Sequence, residues 1–252
     1  MIRFGLRKNK EWVLAFTGML LCAGAHAQLI HVVTEDNPKL DSAGAGEAVV
    51  GPGADLVREV LRRADLQHDM HIYPWSRAYS MALAQENILI FAIGRTQERE
   101  RKFKWVGEIV NAKFSFYKLK SRTDITLKKL DDARNYSTGV TYQDITHQFL
   151  VQKGFSPAKL DLANDSDQNF DKLLVHRMDL VFTSVSNVDV ACARDASLCG
   201  KIEQALAVDE LNTPMYMAFS EATPDAIVAR ARKAYDSMRK DGTWAMIMSK
   251  VK

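Results

Sequence analysis

Beyond its first 27 residues this 252-residue chain has only two cysteines, no apolar run long enough to cross a bilayer, and no excess of charge of either sign. A membrane-spanning helix needs roughly 20 consecutive apolar residues, so nothing after residue 27 reads as one. Removing Arg3, Arg7, Lys8, Lys10 and Glu11 from 34 basic and 31 acidic residues leaves 30 of each. A neutral chain has no electrostatic footprint for nucleic acid or for an anionic membrane surface. There is no G-x-S-x-G turn, no phosphate-binding glycine loop and no dinucleotide fingerprint, and no nucleophile constellation points to an enzyme. His68 and His71 have a metal-like spacing, but no cysteine or acidic cluster accompanies them and HDMHIY runs into a strand. Neither a metal nor a cofactor is expected.

What is present begins with the amino terminus. Four basic residues precede WVLAFTGMLLCAGA, which ends in Ala25-His26-Ala27. This is the pattern of a cleavable secretory signal peptide with a small-x-small cleavage site. Leu21 stands before Cys22, where a lipoprotein would carry a small residue, so a soluble, exported and periplasmic protein is expected. The 225 residues that follow exceed the usual single-domain length of about 100 to 150, which makes two lobes plausible. Cys192 and Cys199 in CARDASLC remain, and an oxidising compartment permits a disulfide across this short loop. Two unpaired thiols are the alternative.

In order, LIHVVTED reads as a strand, Leu29 to Thr34, entering an acidic pair, and NPKLDSAGAGEAVVGPG as a loop or loose hairpin. ADLVREVLRRADL places Leu56, Val57, Val60, Leu61 and Ala64 on one helical face. HDMHIYPW is a strand, and SRAYSMALAQ a helix after the Pro74 break with Ser76 as its N-cap. A second series follows Val110: a strand at 112–120, a short helix at 127–135, a strand in YSTGVTYQD, a helix ending at Gly154, a strand at Leu160 to Ala163, a helix from Gln168 to His176, and the apolar strand MDLVFTSV. LNTPMYMAFSE reads as a strand returning to the first lobe, followed by closing helices. Alternating strands and helices predict mainly parallel sheets with helices on their faces. The expected fold is α/β, with a signal peptide at 1–27, a first lobe at 28–112, a second at 113–212 and a return to the first at 213–252. Open sheets of this kind bind ligands outside the carboxyl ends of their strands.

The densest signal is the stretch from Ile88 to Val110. Ile88 to Ile93 are uniformly apolar, as in a strand covered on both faces, and Gly94 allows close backbone approach. Arg95, Arg99 and Arg101 follow, interleaved with Glu98 and Glu100. A guanidinium held at the end of a buried strand can grip a carboxylate bidentately. A solvated turn with local ion pairs is the competing reading.

Taken together, the export signal, TED before GPGADLVREVL, YPWSRAYSMAL, IFAIGRTQERERKFKWVG and the closing DGTWAMIMSKV resemble type II periplasmic solute-binding proteins, specifically the family 3 extracellular solute-binding proteins of amino-acid uptake. The resemblance implies a two-lobed fold with the ligand cleft between the lobes. It implies that Arg99 of TQER clamps a ligand carboxylate, that Thr146 assists from a helix start in the second lobe with Tyr142 and Asp144 nearby, and that Glu35 meets ligand amino or side-chain groups. Ser184 stands where the family usually places an aspartate for the ligand ammonium. The usual first-loop aromatic is missing from Pro38-Lys39-Leu40, and Trp75 is the substitute wall. Arg77 and Arg95 add positive charge near the cleft and favour an anionic ligand.

The function expected is capture of a small carboxylate-bearing solute by a monomer that closes around it and presents it to an ABC-type membrane permease. Docking on a sensor protein is one alternative. A dehydratase-like enzyme using Glu35 or Asp144 as general acid or base is another.

Overall fold

The computed structural model describes Met1 and residues 28–37, 40–45 and 48–251. The signal segment expected at 1–27 lies, apart from Met1, outside the described residues, as does the Pro38-Lys39 pair. No described helix is long and apolar enough to cross a membrane.

Two five-stranded sheets divide the chain. The first contains β1 (Ile30–Thr34), β4 (His68–Ile72), β5 (Ile88–Gly94), β6 (Phe103–Ala112) and β12 (Thr213–Ser220), in the spatial order β4-β1-β5-β12-β6. The second contains β7 (Phe114–Leu119), β8 (Thr138–Thr141), β9 (Leu160–Ala163), β10 (Leu180–Ser184) and β11 (Ile202–Ala207), in the order β9-β8-β10-β7-β11. Counted within its own lobe, each order is second, first, third, visitor, fourth. The visitor is β12 in the first sheet and β7 in the second, each arriving from the other lobe and pairing antiparallel to its neighbours, while the first three strands run parallel. Within the turn-rich stretch after β1, β2 (Ser42–Ala43) and β3 (Val49–Val50) pair antiparallel.

Local sequence explains most elements. In α1 (Pro52–Arg63) Ala54, Leu56, Val57, Val60 and Leu61 are buried, with Pro in the first turn where its missing N–H costs little. All seven residues of β5 are buried, as a strand covered on both faces requires. β6 alternates buried and half-buried, a period-2 pattern that follows the charged turn directly. α1, α7 (Asp225–Lys240) and α8 (Thr243–Met248) pack together over one face of the first sheet, and α2 (Trp75–Ala84) covers the other. In the second lobe α3 (Ile145–Gln152) covers one face, with Phe149 against Phe182, while α4 (Ser166–Leu174), α5 (Val185–Arg194) and α6 (Ala196–Lys201) cover the other.

Two details differ from the sequence reading. Ser76 does not cap α2: the N-cap is Pro74, and Ser76 Oγ instead lies 3.4 Å from Asn164 Oδ1 of the other lobe. The CARDASLC segment is not a loop but the junction of α5 and α6, and Cys192 and Cys199 are joined by a disulfide with Cα atoms 5.2 Å apart.

The chain crosses between lobes twice, at Lys113 and through residues 208–212. The crossings are strapped together, because Val208 N–H donates to Phe114 O at 2.9 Å and Phe114 N–H donates to Asn212 Oδ1 at 3.2 Å. The carboxyl ends of β1, β5, β8 and β10 therefore open towards one another across a single cleft.

Candidate functional site

A cavity of about 260 Å³ lies in this cleft and draws its walls from both lobes. The first lobe contributes Glu35, just past the end of β1, together with Trp75 at the start of α2 and Ala92 of β5. The second contributes Asp144 before α3 and Ser184, Ser186, Asn187 and Asp189 where β10 turns into α5. The hinge contributes Lys113.

The acids define its electrostatics. Burial, reinforced by Asp144, Asp41, Asp165 and Asp36, pushes the Glu35 carboxyl up to about 8 from an ordinary 4.5. Burial also raises Asp144, although the hydrogen bond its carboxylate accepts from the Thr146 backbone N–H and the Arg99 charge oppose this. Asp41 is fully buried and raised well above the usual range by that burial; one of its oxygens accepts from Thr34 Oγ1 at 2.8 Å and the other has no partner among the described residues. Like charges crowded into a poorly solvated space favour the protonated acids or an incoming cation.

Arg99 is near this cavity but not in its wall. It is fully buried, with Nη1 donating to Gly94 O at 3.1 Å and Nη2 to Gln143 O at 2.8 Å. Its guanidinium lies 4.9 Å from the Tyr79 ring centroid and 5.5 Å from that of Trp75. Burial lowers its pKa. Nε of Arg99, Nε1 of Trp75, the Tyr79 hydroxyl and Oγ1 of Thr146 are all buried without a hydrogen-bond partner among the described residues. Thr146 is wholly buried, and its backbone N–H donates to the Asp144 carboxylate that caps α3. The lobes touch beside this cluster, since a Cβ added to Gly94 would lie 2.7 Å from Ile145 Cδ1. At the rim Arg194 of α5 pairs with both Asp36 and Asp167.

Of the residues singled out from sequence, Glu35, Trp75 and Ser184 line the cavity, and Gly94, Arg99 and Thr146 form the lobe contact next to it. Three others lie elsewhere. Arg95 pairs with Glu100 at 2.5 Å and stands over Trp105 and Tyr216, because the chain turns outward directly after Gly94. Arg77 is exposed on α2 and stacks 4.1 Å from the Tyr73 ring centroid. Tyr142 is 43% exposed and borders a different groove with His147. Both arginines face away from the cavity, whose described wall carries three carboxylates, Glu35, Asp144 and Asp189, and one amine, Lys113.

Lys113, Asn187 and Asp189 are cavity residues that motif reading passes over. Their signal is positional: Lys113 sits between two strands of different lobes, and the others lie in the first turns of a helix that Ser184 caps by accepting from Asn187 N–H at 3.1 Å. Two non-glycine residues with left-handed backbone flank the cleft. Ala92, with φ 58°, is the bulged residue of β5 where the pairing with β12 skips a position, and Gln143, with φ 61°, presents the carbonyl that Arg99 holds.

No family model matches the chain, and no curated protein does. Solved structures do. A histidine kinase sensor domain with similarity to periplasmic binding proteins superposes with a TM-score of 0.77 at 15% identity, over 88% of this chain and 95% of that one. An ancestral arginine-binding protein bound to arginine gives 0.74 at 16% identity, over 89% and 99%. The arginine-, lysine-, histidine-binding protein ArtJ of Geobacillus stearothermophilus gives 0.74 at 15%, over 88% and 94%. The chain has the two-lobed type II periplasmic-binding fold.

Proposed function

We propose that this is an exported solute-binding protein of the family 3 type. It captures a small, amino-acid-like solute bearing a carboxylate and a cationic group between its lobes and delivers it to a membrane permease. Residues 28–112 and 213–252 move as one lobe against 113–212, about the crossings at Lys113 and 208–212. The observation that carries the reading is the cavity itself: both lobes line it, and it holds acids from each together with Lys113 of the hinge. A ligand that bridges the two walls stabilises the closed form by its differential affinity for it. Carboxylates raised by burial and mutual repulsion gain most from an ammonium or guanidinium.

A thermal-shift screen of amino acids, dicarboxylates, polyamines and short peptides tests this, because a ligand of the folded state raises the melting temperature. Stabilisation by amino acids is the expected result, and a response confined to dicarboxylates sinks the cation-accepting cavity. One observation favours a second reading: Glu35, still protonated near neutrality, is poised as a general acid. Mass spectrometry of the stabilising solute after prolonged incubation separates the two, since a binding protein returns it unchanged. The neighbouring fold of a sensor domain makes a signalling protein the competing recipient to a permease, and co-purification from membranes discriminates between them.

A further inference from the structure

Resting on that reading, we propose that the acids facing one another across the cleft make closure proton-linked: the empty protein shuts around a protonated Glu35, and the cationic group of the solute takes the place of that proton.

Glu35 stands where two cavities meet. It lines the cavity of about 260 Å³ with Asp144, and a second one of about 210 Å³ with Asp36, Asp165 and Asp167. Asp36 and Asp41 belong to its own lobe, whereas the others face it from the second lobe: Asp144 precedes α3, Asp165 and Asp167 stand at the start of α4, and Asp189 lies on α5. The cations around this group are largely committed. Arg194 bridges Asp36 and Asp167, and Arg99 has both terminal nitrogens on backbone carbonyls. Lys113 enters the first cavity from the hinge. Tyr73 on the wall of the second cavity lies under the Arg77 guanidinium. His147 of α3 borders the outer groove, where its Nδ1 accepts from Gln143 N–H at 3.2 Å and burial lowers its pKa.

Closure therefore does two things to Glu35: it removes water and it brings up acids of the other lobe. Both favour the protonated form. Burial comes first, and of the charges that push the carboxyl up to about 8 the largest is Asp144, across the cleft, with Asp165 of the same lobe also contributing. Opening withdraws Asp144 and Asp165 and rehydrates the carboxyl, which then titrates closer to its ordinary 4.5. Between those values closing takes up a proton. The sign follows by linkage: the closed empty form is favoured at low pH and loses that support as pH rises through about 8. An ammonium or guanidinium entering the same space supplies the missing positive charge, so that solute and proton compete and binding near neutrality expels the proton.

Small-angle scattering of the ligand-free mature chain from pH 5 to pH 9 tests the switch without any solute. The radius of gyration of wild type should grow as pH rises, with a midpoint between 4.5 and about 8, and Glu35→Gln, which cannot ionise, should lose most of that change. Asp144→Asn keeps an oxygen to cap α3 and should move the midpoint to lower pH. A wild-type radius that does not change with pH, or the same growth in Glu35→Gln, overturns the switch. Titration calorimetry with L-arginine and with cadaverine at pH 7, in phosphate and in Tris, reads the exchange from the difference in buffer ionisation heat. Wild type should release about one proton per cation bound and Glu35→Gln none. Binding of either probe to wild type without proton release, or failure of both probes to bind, overturns the exchange. The solute-binding reading is decided separately: it falls only if no solute of the thermal-shift screen stabilises the protein, whatever scattering shows.

Discussion

Arg99 Nη2 donates to the carbonyl oxygen of Gln143 at 2.8 Å, and this hydrogen bond joins a fully buried cation of one lobe to the backbone of the other. Replacing the arginine by methionine keeps apolar volume and removes every donor, leaving the Gly94 and Gln143 carbonyls without it. Losing one charge-assisted bond across the cleft should cost the closed form about 2 kcal/mol. Small-angle scattering of the ligand-free Arg99→Met protein should show a larger radius of gyration than wild type; identical profiles would refute the interlobe role.

Gly94 governs the same contact from the strand side. A Cβ there would crowd the tip of Ile145, which can rotate, and would make ordinary contacts with Met215 Sδ at 3.6 Å and Ile145 Cβ at 3.7 Å, so Gly94→Ala should lower affinity a few-fold at most. Gly94→Val leaves the tip nowhere to go and should hold the lobes apart, with a loss of roughly 1–3 kcal/mol in ligand binding and an unchanged unfolding transition. Equal affinity for wild type and the valine variant, read by calorimetry, would contradict the contact.

Glu35 makes stability depend on pH with a definite sign. Its carboxyl keeps its proton to about pH 8 in the folded protein, against an ordinary 4.5. Between those values the native state binds more protons than the unfolded chain, so its contribution is fully present below about 4.5 and is lost as pH rises through about 8. Asp41 and Asp144 shift in the same direction, and Glu35→Gln isolates the contribution of the glutamate. The melting temperature of wild type should fall relative to Glu35→Gln between pH 5 and pH 9. Parallel curves would show that Glu35 is solvated.

The Cys192–Cys199 disulfide ties the end of α5 to α6, and α5 also carries Arg194, which pairs across the cleft with Asp36. A loop this short should contribute about 2 kcal/mol. Denaturant titration of the Cys192→Ser, Cys199→Ser double variant should show that loss, and equal midpoints for the oxidised wild type and the variant would exclude it.

Much of the fold was legible because its signals are local. The uniform apolar run of β5, the one-faced pattern of α1 and the Pro74 break each act within a few residues, and each marks an element. Residues 185–207 were harder, since the paired cysteines suggested a loop while Val188, Val190 and Ala191 are buried on a helix. For the site, the family resemblance nominated Glu35 and Ser184, which lie just past the end of β1 and at the end of β10. Charge alone misled at Arg77 and Arg95, whose direction depends on turns and on the aromatic rings that receive them.

The amino-acid sequence by itself determined most of the succession of strands and helices and the neutral balance of the chain after residue 27, because periodicity, turn chemistry and composition act at short range. Only the tertiary structure decided which charges share a space. Lys113 and Glu35 line one cavity because three strand spacings and a hinge place them there, and Glu35 titrates near 8 because both lobes exclude water and bring further acids to it. Desolvation and charge crowding are properties of packed neighbours distant in sequence, which no window along the chain contains.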